Sequence, residues 1–314
     1  MPRTIMMFCG QGAQYYQMGR ELYQQDTIFR QAMDRCDEIA RDLGGRAVSD
    51  IVFGRPLAES DRFDRLSESN IALLGVSHAL ALSLFERGVM PHRLLGYSLG
   101  ETIAATVAGV LSLEEGLRLV YSQARLFETL SPEGAMVAVL AAPERMRDCP
   151  EIAGLAEVTA VNAPNHFVLS LLIAHLPAVT AALDRIGVTW ARLPVRYPFH
   201  ADPIGPLAEP MRRLTGTFQF HPPRFPLVSA ATAARVDRFD GSHVWRVMRG
   251  RLRFRETIEA LSREGDWVLV EAGPSGTLVS FTRQIRAPGI TAWPSIDQFG
   301  QNDRTMRQAV AAAT

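Results

Sequence analysis

The sequence predicts an α/β protein in which a small domain is inserted into a larger one. Short apolar runs typical of buried strands alternate along the chain with longer segments of helical periodicity. Glycine-containing turns close several of these runs. Between residues 132 and 196 the order becomes β-α-β-β-α-β, which is the ferredoxin-like arrangement. We therefore predict a large domain of residues 1–131 and 197–314 around a ferredoxin-like subdomain of residues 132–196.

The large domain is predicted to begin with a strand at residues 4–8, because this apolar run ends at the turn Gly10-Gln11-Gly12. Segment 71–87 carries a wide apolar stripe, which indicates a buried helix. The other strands of this domain are expected at 91–96, 226–230 and 267–271. Its other helices are expected at 29–43, 101–108, 113–130, 206–214 and 256–263.

The inserted segment has more closely spaced strand-like runs than the rest of the chain. Four runs have strand-like character, at 135–140, 157–162, 166–173 and 188–195. Two helices are predicted between them, a short one at 143–147 and a longer one at 176–186. This order fits in about 60 residues, as a ferredoxin-like unit does.

Composition excludes several classes of function. The chain has 33 basic and 33 acidic residues and a formal net charge of zero, so nothing indicates a nucleic-acid or membrane-surface partner. Every basic residue is arginine, which excludes a lysine Schiff base or a P-loop lysine. The hydrophobic content of 47% is typical of a globular protein rather than a disordered one.

The cysteines and the N-terminal segment point to a reducing compartment. The three cysteines, Cys9, Cys36 and Cys149, are far apart and form no CxxC pair, so neither a zinc site nor a disulfide framework is expected. The first residues do not resemble a signal peptide, and no apolar stretch of 18 residues is found. We expect a cytoplasmic protein without a membrane span, a metal or a redox cofactor.

The segment Gly96-Tyr97-Ser98-Leu99-Gly100 is a G-x-S-x-G motif between a predicted strand and a predicted helix. In this context the turn exposes the serine hydroxyl, and the glycines allow neighbouring backbone to approach closely. We therefore interpret Ser98 as a nucleophile rather than as part of a structural turn.

A serine nucleophile needs a base. His200 is one candidate among the seven histidines, because it lies where the chain leaves the small domain for the large one and clefts form at such junctions. His78 is expected within a helix, and His221 and His243 are expected at the surface. The other histidines are His92, before the second strand, and His166 and His175, in the small domain.

Four motifs together resemble a known family. They are Gly10-Gln11-Gly12-Ala13-Gln14, Gly96-Tyr97-Ser98-Leu99-Gly100-Glu101, Phe199-His200 and Glu271-Ala272-Gly273-Pro274. In this order they are similar to the malonyl-CoA:acyl-carrier-protein transacylase family, which includes the acyltransferases of polyketide synthases. The resemblance extends from about Ile5 to about Phe281, and it implies an α/β-hydrolase-like large domain with an inserted ferredoxin-like small domain.

The resemblance also implies roles for individual residues. Ser98 would accept the acyl group, and His200 would be its general base and then its acid. The backbone amides of Gln11 and Leu99 would form the oxyanion hole. A backbone carbonyl rather than an aspartate would orient the histidine. Asn162 resembles a pocket-wall asparagine, with a strand-end turn residue as the alternative, and Tyr97 and Phe199 are expected beside the acyl group.

Gln123 is the most informative departure from the family pattern. Relatives that load malonyl groups carry at this place an arginine that binds the free carboxylate of the acyl group. Arg125 lies two residues along the predicted helix, a rotation of about 200°, and should face away. We therefore expect a pocket for acyl groups without a carboxylate, with weak malonyl binding as the alternative.

Other departures from the family pattern are Tyr97 for histidine, Cys9 for proline and Ala201 for serine. Residues 14–19 resemble a branch found beside trans-acyltransferase polyketide synthases, whose members hydrolyse stalled acyl groups from carrier proteins. The leading hypothesis is an enzyme of polyketide or fatty-acid biosynthesis that accepts an acyl group from a phosphopantetheine or CoA thioester. Water or a second carrier thiol would then release the acyl group from Ser98.

Two alternatives remain open, a malonyl-CoA:acyl-carrier-protein transacylase and an inactive module that only docks carrier proteins. The expected partners are an acidic acyl carrier protein and a polyketide synthase assembly line. A solvated face is the simpler interpretation of a charge run. The docking candidates are Arg249, Arg251, Arg253, Arg255, Arg283 and Arg286.

Overall fold

The computed structural model describes residues 2–54 and 63–314, and within them two β-sheets organise the chain. The strands are β1 (Thr4–Phe8), β2 (Arg93–Gly96), β3 (Gly134–Leu140), β4 (Ala156–Ala163), β5 (His166–Leu172), β6 (Thr189–Arg192), β7 (Leu227–Ser229), β8 (Ala234–Arg235), β9 (Trp267–Glu271) and β10 (Ile290–Pro294). The helices are α1 (Arg20–Gln25), α2 (Thr27–Asp42), α3 (Val48–Phe53), α4 (Leu66–Glu86), α5 (Leu99–Val107), α6 (Leu113–Leu130), α7 (Leu176–Arg185), α8 (Ala208–Thr215), α9 (Gly241–Arg249), α10 (Phe254–Arg263), α11 (Thr277–Ile285) and α12 (Asn302–Ala313).

The larger sheet has the order β10-β9-β1-β2-β7-β8 and is parallel except for β8. Its central strand β1 is buried along its whole length, as expected for a parallel strand covered on both faces. Because parallel strands end at the same edge, the segments that follow β1, β2, β7 and β9 meet there. That edge carries the Gly10 turn and Ser98.

The smaller sheet is antiparallel and has the order β4-β5-β3-β6. Together with the larger sheet this confirms the predicted fold, an α/β-hydrolase-like domain with a ferredoxin-like insertion. The first predicted helix of the insertion is two short 3₁₀ turns, Pro143–Asp148 and Pro150–Ile152, rather than an α-helix. Each turn begins with proline, which fixes φ, and the second proline interrupts the helix. The boundaries at residues 132 and 196 stay a prediction.

Helix α4 is the core helix of the large domain. By length and apolarity it could cross a membrane, but most of its residues are buried inside this protein. It begins at Leu66, five residues before the predicted start. The apolar pattern does not mark this first turn, because its residues are mostly polar although they are buried. Ser67 donates its backbone N–H to Glu128, and the Asn70 amide donates to the carbonyl of Val120. These hydrogen bonds satisfy the buried polar groups of the first turn, which therefore needs no apolar side chains to be buried.

Several elements were missed because their apolar pattern is short. They are α1, α3, α9, α11, α12, β8 and β10. Helix α9 also corrects one prediction: His243 was expected at the surface, but it is 4% exposed. The Asp240 side chain caps this helix by accepting from the backbone amides of Ser242 and His243. His243 then faces inward, toward an acidic partner that is remote in the sequence.

We predict that Gly100→Ala severely destabilises the protein. A Cβ at residue 100 would overlap the backbone carbonyl of Phe8, and backbone cannot swing aside as a side chain can. The free energy of unfolding in urea should fall by about 3 kcal/mol or more. Gly205→Ala is the matched control, because open space surrounds Gly205, and its effect should stay within about 0.5 kcal/mol. Equal stability of the two variants would contradict the close packing described here.

Candidate active site

Ser98 lies at a strained turn between the end of β2 and the start of α5. Its φ of 55° and ψ of −124° are unusual for a residue with a side chain. The flanking glycines make the turn possible. A Cβ at residue 96 would overlap Glu101, and one at residue 100 would overlap Phe8. The turn therefore has the geometry of a nucleophile elbow, in which the serine hydroxyl is exposed at the edge of the sheet.

His200 lies against Ser98 and is held from its other side by backbone. Its Nε2 is 2.9 Å from the Ser98 Oγ, and its Nδ1 is 3.0 Å from the carbonyl oxygen of Gly250. The His200 backbone N–H also donates to the carbonyl of Met248, at 3.1 Å. Since a carbonyl oxygen only accepts, Nδ1 carries the proton and the Nε2 lone pair faces the hydroxyl. This tautomer is the one that a general base for Ser98 requires.

Burial keeps the imidazole neutral. Desolvation lowers the pKa of His200 from 6.5 to about 4, while the hydrogen bonds to backbone carbonyls oppose this shift only in part. At neutral pH the ring is therefore unprotonated and able to accept the serine proton. A carbonyl, rather than a carboxylate, orients the ring, which agrees with the sequence-based expectation.

Two backbone amides converge on the same place. Leu99 is the first residue of α5, so its amide lies at the positive end of that helix. Gln11 lies in the turn after β1, and its side chain is hydrogen-bonded to Asn70 and to the Ser69 hydroxyl. Within the described ranges, neither backbone amide donates a hydrogen bond to another residue. Both N–H groups are thus available to an oxyanion.

Gly10 brings the Gln11 turn against the serine elbow. A Cβ at residue 10 would lie 2.8 Å from the carbonyl oxygen of Tyr97 and 2.9 Å from the Cβ of Ser98. Real Cβ atoms do not come so close to backbone, so only glycine permits this approach. The separation of the Gln11 and Leu99 amides therefore depends on the absence of a side chain at residue 10.

A small cavity of about 70 Å³ opens beside Ser98 and His200. Its wall is mainly apolar, as in most small-molecule sites. Seven residues predicted from the sequence to form the site line this cavity: Gln11, Tyr97, Ser98, Leu99, Gln123, Phe199 and His200. The other lining residues are Leu66, Asn70, Thr102, Phe127, Met136, Val168, Leu193, Val195, Val244, Val247, Met248 and Leu252.

Asn162 lies behind the cavity wall rather than in it. Its Oδ1 accepts a 2.9 Å hydrogen bond from the hydroxyl of Tyr97, and Tyr97 lines the cavity. Its Nδ2 is 3.3 Å from the Nδ1 of His166. Asn162 therefore reaches the acyl pocket only through Tyr97. The family resemblance implied a residue of the pocket wall, whereas the structure places Asn162 directly behind the wall residue Tyr97.

Gln123 forms part of the cavity wall on α6 and is 8% exposed. Its Oε1 is buried without a hydrogen-bond partner in the part of the chain that the structure describes. Arg125 does not replace the missing cation, because its half-exposed side chain pairs with Glu128 at 3.2 Å. Among the described residues, no arginine lines the cavity.

Sequence analysis missed the residues that act through backbone or through remote partners. Gly250 contributes only its carbonyl oxygen, a group that every residue has. Asn70 anchors the Gln11 side chain from near the start of α4, and Met248 supports the backbone of His200. No pattern in the sequence distinguishes these residues from ordinary core or loop positions.

The elbow serine, the histidine at its Oγ and the paired amides define a class of protein, the serine enzymes built on an α/β-hydrolase-like domain. Residues 5–290 match the model of the family described as "Acyl transferase domain". The chain therefore belongs to the acyl transferase domain family, and it is an enzyme of that family.

Known relatives span nearly the whole chain. The polyketide biosynthesis acyltransferase homolog BaeD of Bacillus velezensis is 35% identical over 91% of this chain and 88% of its own length. The homolog PksD of Bacillus subtilis is 33% identical over 92% of this chain and 89% of its own length. The solved structure of a loading acyltransferase from the avermectin modular polyketide synthase superposes with a TM-score of 0.89, at 26% identity and 98% coverage of both chains.

We predict that the reactivity of Ser98 persists well below the usual histidine range. With a pKa of about 4, His200 stays neutral at pH 5.5, where an ordinary histidine of pKa 6.5 would be only about one-tenth neutral. The rate of covalent labelling by a fluorophosphonate, followed by mass spectrometry, should therefore remain near its neutral value at about pH 5.5. A midpoint near pH 6.5 would contradict this.

Two controls accompany the pH measurement. The unfolded chain protonates this histidine below about pH 6.5, so stability falls as the pH drops from 6.5 toward 4, and the fold must be monitored in parallel. Burial raises the pKa of Glu271 to about 7, and this residue ends β9 at the same sheet edge. A Glu271→Gln variant separates any change near pH 7 from the titration of His200.

Proposed function

We propose that this enzyme takes an acyl group without a carboxylate from a phosphopantetheine or CoA thioester. Ser98 receives the group and passes it to water or to a second carrier thiol. The observation that carries this proposal is the cavity wall, which contains Gln123 and no arginine among the described residues. By the family resemblance, Gln123 stands where malonyl-loading relatives have a carboxylate-binding arginine. The names of BaeD and PksD support a place in polyketide biosynthesis.

The first half-reaction follows from the geometry at Ser98. The Oγ attacks the thioester carbonyl carbon while its proton passes to Nε2 of His200, 2.9 Å away. The carbonyl oxygen becomes an oxyanion facing the amides of Gln11 and Leu99. As the C–S bond breaks, the histidine returns the proton to the departing thiolate. The products are an acyl-serine and a free thiol.

The second half-reaction uses the same groups in reverse. His200 removes a proton from water or from the acceptor thiol, which attacks the acyl-serine carbonyl. The oxyanion forms at the same two amides and collapses as Ser98 leaves with the proton. Water gives a free acid and a thiol gives a new thioester, so the two outcomes differ only in the acceptor.

The cavity favours an uncharged acyl group for two reasons. A carboxylate would lose its water without gaining a cation, which costs about 2–5 kcal/mol compared with a buried, paired carboxylate. In addition, Gln123 offers a carboxylate only a neutral amide donor, where an arginine would offer a bidentate cation. A plain malonyl transacylase is therefore the less favoured candidate.

An acyl carrier protein is the proposed partner, and its docking surface is less well marked than the pocket. Three of the six arginines considered above pair with acidic side chains of this chain: Arg249 with Asp202, Arg253 with Glu256 and Arg255 with Glu259. These pairs reduce the positive field that an acidic carrier would meet. The proposed partner therefore rests on the thioester chemistry more than on surface charge.

A panel of carrier-bound thioesters tests the proposed function directly. Acetyl, longer acyl and malonyl thioesters are incubated with the enzyme, and both the free acid and the transfer product are measured. Free acid identifies a hydrolase, and acyl on a second carrier identifies a transferase. Turnover of malonyl alone would overturn the proposal, and the absence of any acyl-enzyme would indicate a module that only docks carriers.

We predict that Ser98→Ala abolishes both turnover and the acyl-enzyme adduct, because among the described residues that line the cavity only the Ser98 hydroxyl is hydrogen-bonded to His200. His200→Ala should lower the acylation rate by about 10²–10⁴-fold while leaving Ser98 in place. Single-turnover kinetics and intact-protein mass spectrometry provide the measurements. An adduct on the Ser98→Ala variant, or normal acylation without His200, would show that the chemistry lies elsewhere.

We predict that Gln123→Arg shifts acyl preference toward malonyl. The new cation would meet the free carboxylate of malonyl, but would stay unpaired in a buried site beside an uncharged chain. The measurement is kcat/KM for malonyl and acetyl thioesters with both proteins. Arg125→Gln is the control, because that side chain points outward, and it should leave the preference unchanged. If the unaltered enzyme already prefers malonyl about tenfold, the specificity proposal fails.

A further inference from the structure

Glu101 is a buried carboxylate on the helix that begins at the nucleophile. It lies three residues after Ser98 and is 3% exposed. Its Oε2 is 2.8 Å from the Nε2 of His243, which is buried as well. Its Oε1 accepts hydrogen bonds from the Ser229 hydroxyl at 2.8 Å and from the Ala231 backbone amide at 3.1 Å. A carboxylate satisfied in this way holds its helix firmly to two other segments.

The first of these segments leads directly to the catalytic histidine. His243 lies in α9, which also presents Val244, Val247 and Met248 to the cavity. The carbonyl of Met248 accepts the backbone N–H of His200. Gly250 follows the last residue of α9, and its carbonyl accepts from Nδ1 of His200. The position of α9 therefore sets the position of the imidazole.

The second segment supports the same stretch of chain from its far side. Ser229 and Ala231, which bond to Glu101, flank Ala230. The carbonyl of Ala230 accepts the backbone N–H of Arg253 at 2.7 Å. The Gly250 carbonyl thus lies between α9, which precedes it, and Arg253, which follows it. Glu101 contacts α9 through His243 and contacts the residues on either side of Ala230, the partner of Arg253.

We infer that Glu101 and His243 are positioning residues, whose buried contact sets the alignment of the Ser98 hydroxyl with the His200 ring. Neither residue lines the cavity, so neither touches the acyl group. The inference rests on the proposed roles of Ser98 and His200, but it concerns how their separation is maintained. Loss of the Glu101–His243 contact would let α9 shift relative to α5. A misplacement of about 1 Å at a catalytic pair costs about 10²-fold in rate.

A second buried carboxylate in the same protein provides a matched control. Asp26 accepts from the hydroxyl of Ser83 at 2.5 Å and from Arg87 at 2.8 Å, and so links α2 to α4. It is 8% exposed, and none of these three residues lines the cavity. Ser83→Ala removes a buried hydrogen bond to a carboxylate without touching the support of His200.

The test compares His243→Phe, His243→Gln and Ser83→Ala with the unaltered enzyme. Each protein is labelled at Ser98 with a fluorophosphonate, assayed for kcat and KM with an acyl thioester, and melted to give its Tm. His243→Phe should slow labelling by about 10–100-fold and lower kcat, with KM little changed. His243→Gln, whose amide can still donate to Glu101, should recover most of the rate. Ser83→Ala should lower the Tm but label at the normal rate.

The outcomes separate this inference from the function on which it rests. If the unaltered enzyme is not labelled at Ser98, the proposed function fails and the positioning role fails with it. If the unaltered enzyme is labelled but His243→Phe reacts equally fast, only the positioning role is overturned. Equal losses in His243→Phe and Ser83→Ala would also overturn it, because they would reflect general destabilisation. Should His243→Phe not fold, the nearly isosteric Glu101→Gln replaces it, with the same expected direction and the same contradicting result.

Discussion

The close approach of backbone to backbone at one edge of the large sheet is the constraint on which the active site depends. Gly100 packs over the carbonyl of Phe8, and Gly10 packs against the carbonyl of Tyr97. No side chain fits at either contact, so the turn after β1 and the first turn of α5 lie at a fixed distance. This packing fixes how closely the Gln11 turn approaches the Ser98 turn and the Leu99 amide.

His200 is supported by a different part of the molecule. The segment that follows α9 provides the Gly250 carbonyl, and Leu252 in this segment exchanges backbone hydrogen bonds with Thr159 and Val161 of the small sheet. The base is therefore held where the large domain, the small domain and α9 meet. Burial at this junction lowers the pKa of the ring, and the carbonyl selects its tautomer. A carboxylate beside the ring would counteract the first effect by favouring the protonated form.

The sequence predicts those features that are local in the chain. β1 and β9 were recognised to the residue, because each is a short apolar run bounded by a glycine turn. Ser98 was found by a five-residue motif, and Gln123 by the family resemblance, because it occupies the place of an arginine in malonyl-loading relatives. His243 was misplaced because its burial depends on Glu101, 142 residues away. A backbone carbonyl was expected to orient His200, but the sequence could not show that it belongs to Gly250, because every residue has a carbonyl.

The division between backbone and side chains explains how specificity can vary while the reaction is retained. The groups proposed to stabilise the oxyanion are backbone amides, and a backbone carbonyl orients the histidine; glycine packing and the supports around Gly250 hold them. The acyl cavity is instead lined mainly by apolar side chains, with Gln123 among them on a separate helix. Gln123 contributes a side chain to the pocket and none of the backbone groups beside Ser98 and His200. Under the proposed function, the same backbone groups would serve charged or uncharged acyl groups, and residue 123 of the wall would distinguish between them.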